Sequence, residues 1–247
     1  MFKKILIGIF AAVLVVALGT AAFGVSSVNA AGAVPTPLVG NGQGMGNPGR
    51  GGTGTGLAAI PVSALSTDEA AALLYMREEE KLARDVYTTL YATWKFPAFQ
   101  NIAASEQTHM DQLGLLLTRY HLTDPAKAPG VFTDPKLQSL YITLVAQGRQ
   151  SISAVLKVGS AIEEIDIVDL QTRLAQTDNA DIQQVYTSLM NGSYNHLKAF
   201  SRALTNQTGE TYAPQLLTLA QYQSLMSGGT GNGAGSGRPA WAGGGNR

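Results

Sequence analysis

No cysteine occurs among the 247 residues. Disulfides, thiolate metal sites, iron–sulfur clusters and a cysteine-linked lipid anchor are therefore excluded. A charge excess of either sign is also missing, with Lys+Arg and Asp+Glu at 17 each. Phosphate backbones are bound by a basic face, so no nucleic-acid partner is expected. Histidine is scarce, at three in the whole chain, which gives the position of each one weight. No segment alternates polar and apolar residues with period two, which predicts essentially no β-sheet.

Glycine is plentiful but crowded into two stretches, Gly40 to Gly56 and Gly228 to Gly245. Neither has enough apolar side chains to offset the entropy of ordering its backbone. At the start of the chain, Lys3 and Lys4 precede an almost wholly apolar run from Ile5 to Leu18. Val28-Asn29-Ala30 then presents small residues, with Ala31 as the new N-terminus. This is the pattern of a secretory signal. The competing reading is an uncleaved membrane anchor, because apolar residues continue to Val25 and a spanning helix needs ~20. The expected layout is a signal peptide over 1–30, a Gly/Pro-rich disordered linker over 31–63, one helical domain over 64–226 and a Gly-rich disordered tail over 227–247. The domain, of about 160 residues, can bury a single core. Export to a secreted, periplasmic or cell-surface location follows from the leader.

Within the domain, Ser66 followed by Glu69 predicts a capping box, and a first helix runs from there to about Trp94. Pro97 ends it. A second helix spans about Ala98 to Tyr120, and Pro125, Pro129, Gly130 and Pro135 make the next stretch a loop. A short helix is expected over Leu137 to Ala146, broken by Gly148. A third long helix covers Ser151 to Ala175. Asp178 is the expected cap of a fourth, reaching about Leu204 before a turn at Thr208-Gly209. A last short helix is placed over Pro214 to Met226. Four amphipathic helices with a long connection after the second predict an all-α bundle with one crossover.

Polar residues on the apolar stripes carry the chemistry. On helix two, Ile102, Ala103, Met110, Leu113 and Leu117 mark the buried face, and Glu106 and His109 fall on it. A carboxylate and an imidazole three residues apart can chelate one metal. On helix one, Glu79 and Glu80 turn toward the core, whereas Glu78 points away, as a solvated residue would. On helix three, Asp166 lies mid-stripe, Glu163 and Asp169 at its edges and Glu164 opposite. On helix four, His196 lies on the stripe. The plainer alternative is ion pairing, with Arg173 or Lys157 as partners of the helix-three acids. Each helix nevertheless contributes an inward oxygen or nitrogen donor, which points to a metal site in the bundle core.

These segments resemble known iron proteins. Glu80 through Tyr87 is similar to the first iron-binding helix of rubrerythrins and ferritins, and Phe99 through His109 resembles their second. The runs Arg77 to Tyr87, Ser105 to His109, Ile162 to Ile167 and Gly192 to Leu197 together resemble domain of unknown function 2202, within the ferritin-like superfamily. The resemblance covers about Leu65 to Leu204 and implies a ferritin-like four-helix bundle. It implies metal ligands at Glu80, Glu106, His109, Glu163, Asp166 and His196, with Tyr87 and Ser193 beside them. Helical phase puts Glu79 slightly nearer the stripe centre than Glu80, so Glu79 is kept as second choice. The implied cofactor is iron, as a pair, with manganese and zinc as alternatives. One departure stands out. The superfamily pattern on the fourth helix is Glu-x-x-His, and here Ser193 replaces the acid; Asp166 is a candidate to compensate. Three functions are open on these grounds: a redox protein acting on oxygen, peroxide or ferrous iron, a non-catalytic metal-binding or surface module, and a bundle held by a metal-free polar network.

Overall fold

The computed structural model describes residues 56–228; the leader, most of the expected linker and the tail from residue 229 lie outside the described residues. Six helices occur among the described residues: α1 (Thr67–Trp94), α2 (Pro97–Arg119), α3 (Pro135–Gly148), α4 (Ile152–Leu174), α5 (Ala180–Thr208) and α6 (Leu219–Ser227). No strand is present there. None of these helices is long and apolar enough to cross a membrane.

Local chemistry sets the helix ends. Ser66 and Glu69 form the reciprocal capping box, which satisfies the first free N–H groups of α1. Lys95 closes α1 in the left-handed region (φ 57°). Pro97 both follows α1 and starts α2, because a first-turn proline lacks only an N–H that would have no partner. Ser151 caps α4, and Gly209, at φ 75°, ends α5.

Three boundaries differ from expectation. Asp178 does not cap α5. Asn179 holds that position without a side-chain cap, because its amide instead donates to Glu69 Oε1 (3.1 Å) and the Ala64 carbonyl (3.2 Å). Gly148 does not break α3 but completes it. A Cβ there would stand 2.6 Å from Leu90 Cδ1, so the glycine is needed for close packing of α3 on α1. Finally, the segment before α6 is not helical, since its N–H groups are used elsewhere, as described below. Ordered structure also begins ahead of the expected Ala64 border: Leu57–Ala59 form a 3-10 turn, and Leu57 joins the core.

α1 packs on α2 and α4 on α5 as two hairpins, which meet through the α1–α4 and α2–α5 faces. α3, within the long connection from α2 to α4, lies against α1 and α4. The interior is layered. At one end Leu73, Met76, Leu113, Leu117, Leu170 and Leu189 form an apolar cluster. At the other, Tyr87, Phe99 and Phe200 pack with ring centroids 5.0–5.8 Å apart. Residues 79–80, 106–109, 163–166 and 193–196 occupy the level between.

Two acids expected to face solvent are buried. Glu78 accepts from the backbone N–H of Thr133 (2.6 Å) and Asp134 (3.0 Å), fixing the α2–α3 connection. Glu164 accepts from the N–H of Gln215, Leu216 and Leu217 and from the Tyr212 hydroxyl. The physical reason is that α4 is lined with buried residues on every side, so a residue opposite its stripe still meets protein. Backbone donors replace the lost water. Lys157 pairs with Glu210, and neither it nor Arg173 forms an ion pair with Glu163 or Asp166.

Glu164→Gln removes a charged acceptor that several N–H groups share. It should lower stability by about 1.5–3 kcal/mol in urea unfolding and loosen residues 210–218 to protease. Unaltered protection of that segment would refute the anchoring role.

Candidate metal centre

α1 and α2 each bring donors to the middle layer from one hairpin, and α4 and α5 from the other. His109 Nδ1 lies 2.7 Å from Glu106 Oε2 and 3.2 Å from Glu80 Oε2. His196 Nδ1 lies 2.8 Å from Glu106 Oε1 and 3.4 Å from Glu163 Oε2. Glu106 thus stands between two imidazoles, giving one oxygen to each. The rings are stacked with centroids 5.6 Å apart. Two donor groups result, Glu80–Glu106–His109 and Glu106–Glu163–His196, each with its ligand atoms within 4.8 Å of one another and all buried.

Outer contacts orient these side chains. The His196 Nε2 is within 3.0 Å of the Ser105 hydroxyl, so its Nδ1 is the nitrogen left facing the acids. Tyr87, fully buried, donates to Glu163 Oε1 (2.5 Å) and leaves Oε2 toward His196. The Ser193 hydroxyl donates to Asp166 Oδ2. Gly192 borders the other ring: a Cβ there would fall 2.5 Å from His109 Cε1 and Nε2.

Charge is concentrated and poorly compensated. Burial alone would raise the Glu106 carboxyl, but the charge of His196 and hydrogen bonds from His109 and His196 hold it at about 2. Burial disfavours the His196 cation, yet Glu163 and Glu106 outweigh it and lift that ring to about 10. His109 is likewise raised, against burial, by Glu80 and Glu106. Burial pushes Glu80 up to about 7 although His109 opposes it. Burial and the charge of Glu80 push Asp166 well up. The ion pairs of Arg77, Lys81, Arg84, Arg119 and Lys157 go to Asp124, Asp85, Asp181 and Glu210 and not to these acids. Imidazole protons therefore stand where stronger cations would be favourable. Glu80 Oε1 and Asp166 Oδ1 remain without a hydrogen-bond partner, and Glu106 Oε1 meets only the His196 Nδ1. Buried atoms so placed suit a cation, and the carboxylate and imidazole set fits iron, manganese or zinc.

The structure brings together Glu80, Glu106, His109, Glu163 and His196, with Tyr87 against Glu163. Asp166 lies beside this group, held by Ser193. Glu79 points to a neighbouring position rather than into either donor group. Helical phase slightly favours Glu79, but it is Glu80, the residue the resemblance implies, that meets His109. Ser105 and Gly192 were not singled out as functional; only the closeness of each to a histidine in the packed bundle reveals its part.

These features define an all-α bundle with two buried carboxylate–histidine groups sharing one glutamate. The chain belongs to the family described as an uncharacterized protein domain, DUF2202, whose model matches residues 69–229. It is 48% identical over 176 residues to the uncharacterized protein MJ0754 of Methanocaldococcus jannaschii, covering 70% of this chain and 95% of that protein. The crystal structure of that hypothetical protein superposes with a TM-score of 0.68, covering 70% of this chain and 99% of the other.

Gly192→Ala must displace either α5 or the His109 ring, a cost of about 1–3 kcal/mol. Gly114, whose Cβ would meet only Arg77 Cζ at 4.0 Å, is the control; Gly114→Ala in α2 should be neutral or stabilising. Thermal melts of the two variants check this, and equal behaviour would contradict the close fit at His109.

Proposed function

We propose that the bundle core holds a pair of redox-active cations, of the iron type, and acts on oxygen, peroxide or ferrous iron. The observation that supports this reading most is Glu106, placed between two histidines with a separate terminal carboxylate beside each. Glu106 would hold both cations, Glu80 and His109 one, and Glu163 and His196 the other. When bound, paired iron supplies electron transfer to oxygen or peroxide. The chain's own groups hold this arrangement. Tyr87 positions Glu163, Ser105 positions His196, and Gly192 leaves room for the His109 ring. The Leu73–Leu170 cluster and the Tyr87–Phe99–Phe200 layer keep water from either end, which strengthens every charge interaction between them. With no cysteine in the chain, an electron donor would be external.

We also propose an exported setting, on the leader pattern at residues 1–30. A second reading, a metal-free ionic network, is favoured by the short His–Glu contacts. The partnerless oxygens of Glu80 and Asp166 weigh against it, because a completed network would satisfy them.

Iron content of protein purified without chelator tests the proposal. The Glu106→Ala, His109→Ala double variant should lose bound iron by more than about tenfold while keeping its helical circular dichroism. Unchanged iron in that variant would sink the reading. Ser193→Glu gives a test of opposite sign. The new acid would meet Asp166, so the metal-free protein should lose about 1–3 kcal/mol. Ferrous iron should restore the melt if cations occupy the centre, and leave it unaltered if they do not.

A further inference from the structure

A small cavity of about 10 Å³, room for one water-sized body, adjoins the centre under α3. Glu80, Glu106 and Glu163 line it, so it reaches both donor groups and their shared acid. His109 and His196 do not line it, and no basic side chain does. The cavity therefore opens on the carboxylate side of the centre, away from the imidazoles. Asp166 also lines it, although this acid belongs to neither converging donor group. Its Oδ2 accepts from Ser193. Its Oδ1, in a residue 6% exposed, has no hydrogen-bond partner. A buried oxygen so placed is costly until a donor reaches it.

The roof of the cavity is α3. Leu137 and Leu140, three apart on one helical face, both line it. Leu137 is buried and Leu140 half-buried. α3 is fastened to α1 at both ends. Glu78 accepts from the N–H groups of Thr133 and Asp134 at its start. The Trp94 indole N–H donates to the Gly148 carbonyl at its end (2.8 Å). Leu140 thus stands at a fixed lip between solvent and the acids.

We propose that this cavity docks hydrogen peroxide, with Asp166 Oδ1 accepting a hydrogen bond from it and Leu137 and Leu140 limiting its size. The proposal rests on the reading that the centre holds paired ferrous cations. Of the substrates open under that reading, dioxygen has no hydrogen to give Asp166. Ferrous iron needs several converging oxygens, and Asp166 joins neither converging group. Peroxide is neutral, so the acids do not repel it, and it supplies the O–H donor that Asp166 lacks. A bulky organic hydroperoxide offers the same O–H but meets the leucine roof. Reduction breaks the O–O bond. Each of two ferrous cations gives one electron and becomes ferric, and two protons from solvent complete two waters.

Stopped-flow oxidation of the ferrous-loaded full chain by hydrogen peroxide, tert-butyl hydroperoxide and dioxygen tests this, with iron content measured alongside. Asp166→Asn keeps the side-chain shape and one oxygen for Ser193, and turns an amide N–H toward the cavity. It should lower the ratio of hydrogen peroxide rate to dioxygen rate by about tenfold. Leu140→Ala should raise the ratio of tert-butyl hydroperoxide rate to hydrogen peroxide rate by about tenfold or more. A ratio that does not move overturns the role given to that residue and leaves the central reading intact. Loss of iron in Asp166→Asn would make Asp166 a metal ligand and overturn its docking role. A crystal of the zinc-loaded chain soaked in hydrogen peroxide gives a readout without turnover. A ligand of two bonded oxygens should lie within hydrogen-bond reach of Asp166 Oδ1, and an empty cavity there would overturn the docking site. A parent chain that binds no iron would defeat both readings.

Discussion

Negative charge buried without enough positive charge to match it is the constraint on which this bundle depends. Glu106 is the centre of that constraint. Its carboxylate sits between His109 and His196 at 2.7 and 2.8 Å, and the same Nδ1 of each histidine also faces a further acid. An isolated ionised carboxylate in an apolar interior is expensive, and several together are more so. Two protonated imidazoles offset part of this. They leave Glu80 and Asp166 each with an oxygen that accepts nothing. An apolar layer on each side limits how much water can make up the difference. The arrangement is therefore poised for cations in a way that a core of leucines would not be.

The same charge logic explains acids far from the centre. Three consecutive glutamates on α1 point in three directions, and each finds a different answer. Glu78 meets the N–H groups of Thr133 and Asp134. Glu79 meets Asp169, and Glu80 meets His109. On α4 the pattern repeats: Glu163 turns to Tyr87 and His196, while Glu164 collects the N–H groups of residues 215–217. Backbone N–H groups are strong donors that need partners when buried. Anionic side chains on the two flanking faces of the α1/α4 pair thus fasten the α2–α3 connection and the segment after α5. Fastening these segments covers the outer sides of the helices that carry the site.

Much of this was legible in the sequence because helical periodicity is a strong signal over long segments. The capping box at Ser66, the α1/α2 break at Pro97 and the Gly209 turn came from residue chemistry that acts locally. Glu106, His109 and His196 were legible as polar residues on apolar faces. Glu78 and Glu164 were not, since a helical wheel treats the face opposite the stripe as solvent. That assumption fails when loops return to cover the helix. The signal for α4 was present in its composition: Ala154, Leu156 and Ala161 leave little polar face for water. Asp178 was misread because Asp and Asn are both good caps in isolation, and the choice between them turned on distant Glu69. The choice between Glu79 and Glu80 was beyond periodicity, because it depends on which partner helix each inward side chain meets.

Ser193 stands where an acid was expected on the fourth helix, and an acid at the same level comes from a different helix. A glutamate at this position would bring a carboxylate to the centre from α5. Here the carboxylate at that level comes from α4, as Asp166, and the Ser193 hydroxyl holds it by donating a hydrogen bond. Asp166 is three residues after Glu163, so the two share one helical face. A glutamate at 193 would compete with Asp166 for the same space and add repulsion. A serine instead supplies the donor that Asp166 lacks. Gly192, beside it, is bare because His109 occupies the volume of its Cβ. The run Gly192, Ser193 and His196 is thus shaped by residues on two other helices. His109 on α2 demands the glycine, Asp166 on α4 uses the hydroxyl, and Glu106 receives the imidazole. With the acid on α4, α5 contributes an imidazole and a hydroxyl but no negative charge. The negative charge of the site is then distributed over α1, α2 and α4, and the α5 imidazole faces it.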